Sequence, residues 1–89
     1  MDGFFEMAIL IHPHALQRME ERGASEEEIQ RAIERGRVLP AKFGRKIYGM
    51  TFLYGDYWRE QFYEHKQLEV YGVDEGEDII VVTVVVKYF

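Results

Sequence analysis

The stretch PHALQRMEERGASEEEIQRAIERG, residues 13–36, decides the fold because it carries the start and stop signals of two consecutive helices. Pro13 suits a first helical turn, where its missing N–H is not needed. Gly23 can take the left-handed conformation that commonly closes a helix. The first helix is therefore predicted to begin at Pro13 and to end at about Arg22.

The second helix of this stretch is marked by Ser25 and Glu28, whose spacing is that of a capping box. It is predicted to begin at Glu26 and to end at Gly36. Apolar residues at helical spacing, Ile29, Ala32 and Ile33, would face a core. The tight link between the helices predicts a helical hairpin or corner with one shared apolar face.

From residue 37 onward the apolar period changes to two, which predicts strands. The predicted strands are Arg37–Phe43, Arg45–Tyr54, Tyr57–Glu64 and Ile79–Phe89, with turns at Gly44, at Gly55-Asp56 and over residues 74–78. The segment around residues 65–67 is either a turn or part of a strand that continues to Val73. Ahead of the helices, Glu6–His12 is predicted as a short extended segment that Pro13 ends.

The last strand is apolar on both faces, which predicts a place in the middle of a sheet or in an interface. Its even-numbered face is expected to pack under the helices, and Thr83 and Lys87 to lie on the opposite face. That even-numbered face comprises Ile80, Val82, Val84, Val86 and Tyr88. We therefore expect an α+β fold in one domain, residues 1–89, with two N-terminal helices packed on one face of an antiparallel sheet of about four strands.

Composition narrows the functional classes. The 89 residues contain no cysteine, which excludes disulfides, zinc ribbons and thiol catalysis and favours a reducing, cytoplasmic location. The apolar runs 7–11 and 79–86 are too short for a secretory signal or a membrane helix, so no membrane association is expected.

The net charge of −5 argues against strong non-specific binding of nucleic acid by the whole surface. The charge is unevenly distributed, however. Residues 12–46 carry eight Lys or Arg against six Asp or Glu, and residues 47–89 carry three against eight. One face of the protein can therefore still be basic.

The first helix carries a polar stripe of His14, Arg18, Glu21 and Arg22. An imidazole beside two guanidiniums suits acid–base chemistry on a phosphate ester, or binding of one. A helix N-terminus favours a neutral His14, which would act as the base. The alternative interpretation is a set of surface ion pairs of small energetic value.

Two further groups of residues have both a functional and a structural interpretation. His12 and His14 could begin a metal site with Glu21 or His65, but no H-E-x-x-H motif supports one, and we expect no metal or cofactor. A set of aromatic and basic residues could stack bases and bind phosphates, or could form core and dimer contacts. That set is Tyr48, Phe52, Tyr54, Tyr57, Trp58, Phe62 and Tyr63, with Arg45, Lys46 and Arg59.

The pattern H-x-x-x-R-M-x-x-R-G, followed by S-x-E-E-I, G-R-x-x-Y, L-E-V and a closing V-V-T-V strand, resembles a family of short prokaryotic domains of unknown function. The resemblance runs from His12 to Tyr88. That family is thought to be related to toxin ribonucleases of the RelE and BrnT type. The resemblance implies a RelE-like fold, a metal-independent domain that cleaves or binds RNA, and an antitoxin partner.

The motif positions that carry over are His14, Arg18 and Arg22 on the first helix, Arg45 and Tyr48 at the start of the sheet, and Thr83 on the last strand. In this interpretation His14 takes the 2′-hydroxyl proton, Arg18 and Arg22 hold the scissile phosphate, and Tyr48 and Thr83 are supporting groups. The main alternative is a non-catalytic interaction module, such as an orphaned toxin or a homodimer. A metal-dependent hydrolase built on His12 and His14 is the third possibility.

Overall fold

The computed structural model describes residues 8–89, which form an α+β fold with two helices and a five-stranded mixed sheet. The elements are β1 (Ile9–Ile11), α1 (Pro13–Arg22), α2 (Glu26–Arg35), β2 (Arg37–Pro40), a 3-10 turn (Lys42–Gly44), β3 (Lys46–Trp58), β4 (Gln61–Glu75) and β5 (Asp78–Tyr88). The predicted α+β class and the presence of two helices are confirmed.

The sheet has the order β1-β5-β4-β3-β2, and it differs from the expected four antiparallel strands. β1 adds a fifth strand and pairs with β5 in parallel, with Ile9 opposite Ile79. The sequence predicted an extended segment here but not its pairing partner, which lies about seventy residues away along the chain. The first two residues of that predicted segment, Glu6 and Met7, lie outside the described residues.

Helix α1 begins and ends as its capping residues predict. The backbone N–H of His14 donates to Nδ1 of His12 at 3.0 Å, so the His12 imidazole is the N-cap. Gly23 has φ +79° and donates its N–H to the Met19 carbonyl at 2.8 Å. A β-carbon on Gly23 would also lie 2.6 Å from the Tyr88 hydroxyl, so both the conformation and the close approach require glycine.

Helix α2 begins with the predicted capping box. The Glu28 N–H donates to the Ser25 hydroxyl at 3.1 Å, and the Ser25 N–H donates to the Glu28 carboxylate at 2.9 Å. The helix ends before Gly36, where a β-carbon would lie 2.4 Å from the main-chain oxygens of Ala32 and Gly49. The chain therefore passes directly from α2 into β2 at the edge of the sheet.

One hydrophobic core joins both helices to the sheet. Its fully buried side chains include Ile29 of α2, Leu68 and Val70 of β4, and Val81 and Val84 of β5. Burial of each such side chain contributes about 1.5–3 kcal/mol. The remaining core members are Ala15, Met19, Ala32, Ile33, Tyr48 and Ile79.

The β3–β4 hairpin turns later than predicted. The turn expected at Gly55-Asp56 is wrong, because β3 continues to Trp58 and the chain reverses at Arg59 and Glu60. The register shifts between Leu53 and Asp56, where Gly55 has φ +60°. The glycine therefore marks a β-bulge, which uses the same backbone freedom as a turn.

Two other strand boundaries also differ from prediction. The first predicted strand stops at Pro40 rather than Phe43, because a 3-10 turn follows at Lys42–Gly44. The ambiguous residues 65–67 lie inside the single long strand β4. The acidic turn after β4 is shorter than the predicted turn over residues 74–78. It consists of Gly76 and Glu77, because Glu75 still pairs with Asp78.

The face that β5 presents to the helices changes along the strand. Val84, Val86 and Tyr88 pair with the buried side of β4, as predicted for the even-numbered face. For Ile80 and Val82 the prediction is wrong, because Ile79 and Val81 are the core residues there. The register shifts between Tyr71 and Gly72, which pair with Thr83 and Val81 and leave Val82 as the extra residue of a bulge. One extra residue exchanges the two faces of a strand.

Over residues 8–89, neither helix has the length and apolarity that crossing a bilayer requires.

Candidate functional site

A cleft of about 400 Å³ lies where the end of α1 meets the β3–β4 turn and the end of β5. It is lined by Glu21, Arg22, Trp58, Arg59, Val86 and Tyr88. We call it the Arg22–Trp58 cleft. It contains two residues of the predicted helix stripe, Glu21 and Arg22, together with aromatic and basic residues of the sheet and its β3–β4 turn.

The end of α1 is fixed to β5 by two reciprocal hydrogen bonds. Arg22 Nη1 donates to the Val84 carbonyl at 2.6 Å, and the Tyr88 hydroxyl donates to the Arg22 carbonyl at 2.8 Å. Val84 lies three residues beyond Val81, where the pairing of β5 with β1 ends. Arg22 thus supplies a donor to the part of β5 that β1 does not reach.

Arg59 approaches the same helix end from the β3–β4 turn. Its Nη2 donates to the Glu21 carbonyl at 2.6 Å, and its guanidinium lies 5.1 Å from the centre of the Trp58 ring. The turn places Arg59 there with φ +50°, which is unusual for a residue other than glycine. The cation–π contact with the indole and the hydrogen bond together hold the guanidinium in place.

The cleft retains positive charge because main-chain oxygens, not carboxylates, hold both guanidiniums. The one carboxylate in its lining, that of Glu21, accepts a hydrogen bond from Arg18 Nη1 at 2.7 Å. That bond lowers the pKa of Glu21, so the carboxylate stays ionised and paired with Arg18. An anionic ligand would meet two fixed arginines in the cleft.

The wall of the cleft is aromatic. Trp58 and Tyr88 stack at 5.0 Å between ring centres with 15° between planes, and Tyr54 and Tyr63 pack on Tyr88 at 5.2 and 5.6 Å. Burial raises the pKa of Tyr88 to about 12. The Tyr88 phenol is therefore a hydrogen-bond donor near neutral pH and not a base.

A buried lysine supports this wall from below. Lys66 of β4 is only 5% exposed, and its Nζ donates to the Glu28 carboxylate at 2.7 Å and to the Gly23 carbonyl. The same ammonium lies 5.7 and 5.9 Å from the rings of Tyr54 and Tyr88. Lys66 thus ties the α1–α2 link to the aromatic wall.

The helix stripe extends away from this cleft. His14 is exposed at the start of α1, eight residues before Arg22, which is a rise of about 12 Å along a helix. Arg18 lies between them and forms an ion pair with the Glu21 carboxylate. The structure therefore brings Arg22, but not His14, to the cleft, and a ligand touching both would have to run along α1.

Tyr48 and Thr83 lie elsewhere. Tyr48 is 5% exposed in the core and pairs with Val70, and burial raises the pKa of its phenol. Thr83 pairs with Tyr71 and so points to the other face of the sheet. The structure brings neither residue to the helix stripe or to the cleft. Arg45 is exposed at the start of β3, at the far end of the sheet.

Within residues 8–89, no group of three or more His, Cys, Asp or Glu side chains has a geometry that could hold a metal ion. His12, the first residue of the hypothetical metal pair, uses Nδ1 to cap α1. His65 stacks on Phe89 at 5.1 Å in the sheet.

The sequence placed Trp58 and Arg59 among candidate base-stacking residues, but it did not single out Tyr88 or Lys66. A signal for Lys66 was present, since it alternates with Leu68 and Val70 on the face of β4 that must be buried. A lysine on a buried face needs an anionic partner. Glu28, in the predicted capping box, is that partner.

The family model of a domain of unknown function, DUF4258, matches residues 11–86. No match was found among curated proteins or among solved structures. Because the family model covers both helices and nearly the whole sheet, the chain belongs to the DUF4258 family.

Proposed function

We propose that this chain is a metal-independent RNA-binding domain, related to toxins of the RelE type, that holds single-stranded RNA in the Arg22–Trp58 cleft. The observation that carries the proposal is the pairing of two arginines, each held by a main-chain oxygen, with a stacked Trp58–Tyr88 wall. The resemblance of the motif positions to RNA-directed toxins supports the same ligand.

The chemistry of the cleft fits one or two nucleotides. A guanidinium binds phosphate through parallel N–H donors, and each base stacked on an aromatic ring adds about 1–3 kcal/mol. The protein as a whole carries a charge of −5, which opposes extended contact with a polyanion. Binding in this cleft therefore involves few phosphates and depends only modestly on salt.

The proposed activity also includes cleavage of the bound RNA. Its base is His14, whose imidazole is exposed at the other end of α1. RNA with a phosphate in the cleft would have to follow α1 past Arg18 to reach it. Incubation of a generic RNA with the protein in EDTA tests this step: the wild type cleaves and His14→Ala does not. Cleavage that EDTA abolishes would favour metal-dependent chemistry instead.

Fluorescence anisotropy with a labelled single-stranded RNA tests binding in the cleft. Arg59→Gln is the main variant, because Arg59 lies in an exposed turn and its loss spares the core. Arg22→Gln is the second variant and is compared with the wild type in chemical denaturation. Arg31→Gln, which removes an exposed charge from α2, is the matched control. Both cleft variants should weaken binding at least fivefold, with Arg31→Gln unchanged; equal affinities in all four proteins would contradict the proposal.

One observation favours a second function, that of a protein-interaction module. Edge strand β2 is exposed throughout, and Val38 and Leu39 each expose about half of their surface. An antitoxin or a second copy of the chain would cover them. Failure of the wild type to bind RNA, together with a dimer in light scattering, would favour this function over the first.

A further inference from the structure

The tip of the β2–β3 hairpin, Lys42–Arg45, exposes a large aromatic ring in a strained conformation. Phe43 is 88% exposed and has φ +63°, a left-handed conformation that bulky side chains rarely adopt. An exposed ring gains nothing from burial, and glycine would fit the backbone better. Residues held in such strained conformations cluster at functional and ligand-binding sites, so the surroundings of this ring are a candidate ligand site.

The hairpin is also the most basic part of the chain. Residues 37–46 contain four Lys or Arg and no Asp or Glu, in a protein whose net charge is −5. Lys46 pairs with Asp74 at 2.7 Å. Lys42 and Arg45 form no ion pair with any other residue in 8–89, so their charges remain available to an anionic ligand.

A shallow cavity of about 360 Å³ lies beside the exposed ring. Its lining consists of Ala41, Lys42, Phe43, Arg45, Ile47 and Tyr71. Two cations thus lie next to two aromatic rings and an aliphatic floor. This combination suits a flat ligand that carries a negative charge.

We propose that the hairpin tip is a second nucleic-acid contact, where a base stacks on Phe43 and the adjoining phosphates bind Lys42 and Arg45. The site is separate from the Arg22–Trp58 cleft, because the 13 residues of β3 place the two about 40 Å apart. That the ligand is RNA rests on the proposed function, but the site itself does not.

Single-stranded nucleic acid fits this site better than an acidic peptide or an anionic membrane. Phe43 offers a flat face at the side of two cations, and Tyr71 adds a second ring within the same cavity. Bases have π-faces that stack on such rings, whereas aspartate and glutamate side chains do not. A membrane-inserted tip would need several apolar residues, and Lys42 and Gly44 flank the single ring.

Anisotropy with a labelled RNA of about 15 nucleotides, measured over a range of salt concentrations, tests this second contact. Phe43→Gly removes the ring and relieves the strain, so folding is preserved. The Lys42→Gln/Arg45→Gln double variant removes the charges. Leu53→Ala is the matched control, because Leu53 is 89% exposed on β3 and apolar.

Phe43→Gly should lose at least fivefold in affinity. For the double variant, the slope of log affinity against log salt concentration should correspond to about two fewer phosphate contacts. Leu53→Ala should bind as the wild type does. Unchanged binding by both hairpin variants overturns the inference, and if Arg59→Gln still loses affinity, the cleft proposal stands. If only the hairpin variants lose affinity, the cleft proposal fails and the inference stands. The inference is also overturned if the hairpin variants lose affinity for anionic vesicles or for an acidic peptide while their RNA binding is unchanged.

Discussion

Lys66 is the residue on which the geometry of the site most depends. Its ammonium is buried and is surrounded by the Gly23 carbonyl, the Glu28 carboxylate and two aromatic rings. A buried charge is tolerated only when such groups replace its water. The same contacts hold the α1–α2 link at the fixed distance from β4 that creates the cleft.

Lys66→Ala should lower the free energy of unfolding by about 3 kcal/mol, because it leaves the Gly23 carbonyl and the Glu28 carboxylate without their donor and opens a cavity. Urea denaturation at neutral pH measures the change. Lys87→Ala is the control, since Lys87 is exposed and lies 4.0 Å from Glu69, and it should cost less than about 0.5 kcal/mol. Equal effects of the two variants would show that the buried contacts of Lys66 contribute nothing.

Tyr88 gives the protein a pH dependence at the alkaline end. Its folded-state pKa of about 12 lies above the ordinary value of 10, so the folded protein binds the phenolic proton more tightly than the unfolded chain does. This contribution to stability is complete below pH 10 and is lost as pH rises through 12. Tyr88→Phe should cost about 1 kcal/mol at pH 7 through its lost hydrogen bond to Arg22, and should fall less steeply than the wild type between pH 10 and 12. Parallel profiles from denaturation at several pH values would refute this assignment.

Among the elements, the helices could be predicted almost to the residue because capping residues close in sequence set their boundaries. A capping box and a C-terminal glycine act over three or four residues, and both are present at Ser25 and Gly23. The strands depend on partners distant in sequence. The parallel addition of β1 to β5 and the bulge at Val82 arise only when the whole sheet is assembled. No local pattern of residues indicates either feature.

The β3–β4 turn shows how a misleading signal arises. Gly55-Asp56 has the composition of a turn but forms a bulge, whereas the true turn, Arg59 and Glu60, has neither glycine nor asparagine. Both turn residues have positive φ, and this strained turn places Arg59 in the cleft. The sequence therefore could not reveal that Arg59 lines the same cleft as Arg22.

Replacement of one strained turn residue should stabilise the hairpin. Glu60 has φ +73°, so Glu60→Gly should raise the free energy of unfolding by about 0.5–1 kcal/mol. Glu64→Gly, at an exposed position of β4, should lower it by about 0.5–1 kcal/mol because glycine weakens a strand. Thermal unfolding of the two variants gives the comparison. A loss of stability in both would mean that Glu60 makes contacts that outweigh its strain.

At the scale of the whole molecule, the predicted site divides into separate places. The stripe of His14, Arg18, Glu21 and Arg22 lies on one helix as expected, but only Glu21 and Arg22 reach the cleft that the sheet completes. Helical spacing gives the angular position of a side chain but not the surface that it meets. The cleft depends on the long β3–β4 hairpin folding back to the end of α1, which contacts across sequence distance decide.

The central claim is that RNA binds against the Trp58 face of the cleft, and the single tryptophan of the chain provides a direct probe. Titration of a short single-stranded RNA should quench Trp58 fluorescence in a saturable, salt-sensitive way. The quenching should be lost in Arg59→Gln and retained in Arg31→Gln and Phe43→Gly. If RNA binds by anisotropy while Trp58 fluorescence does not change, the Arg22–Trp58 cleft is not the RNA site.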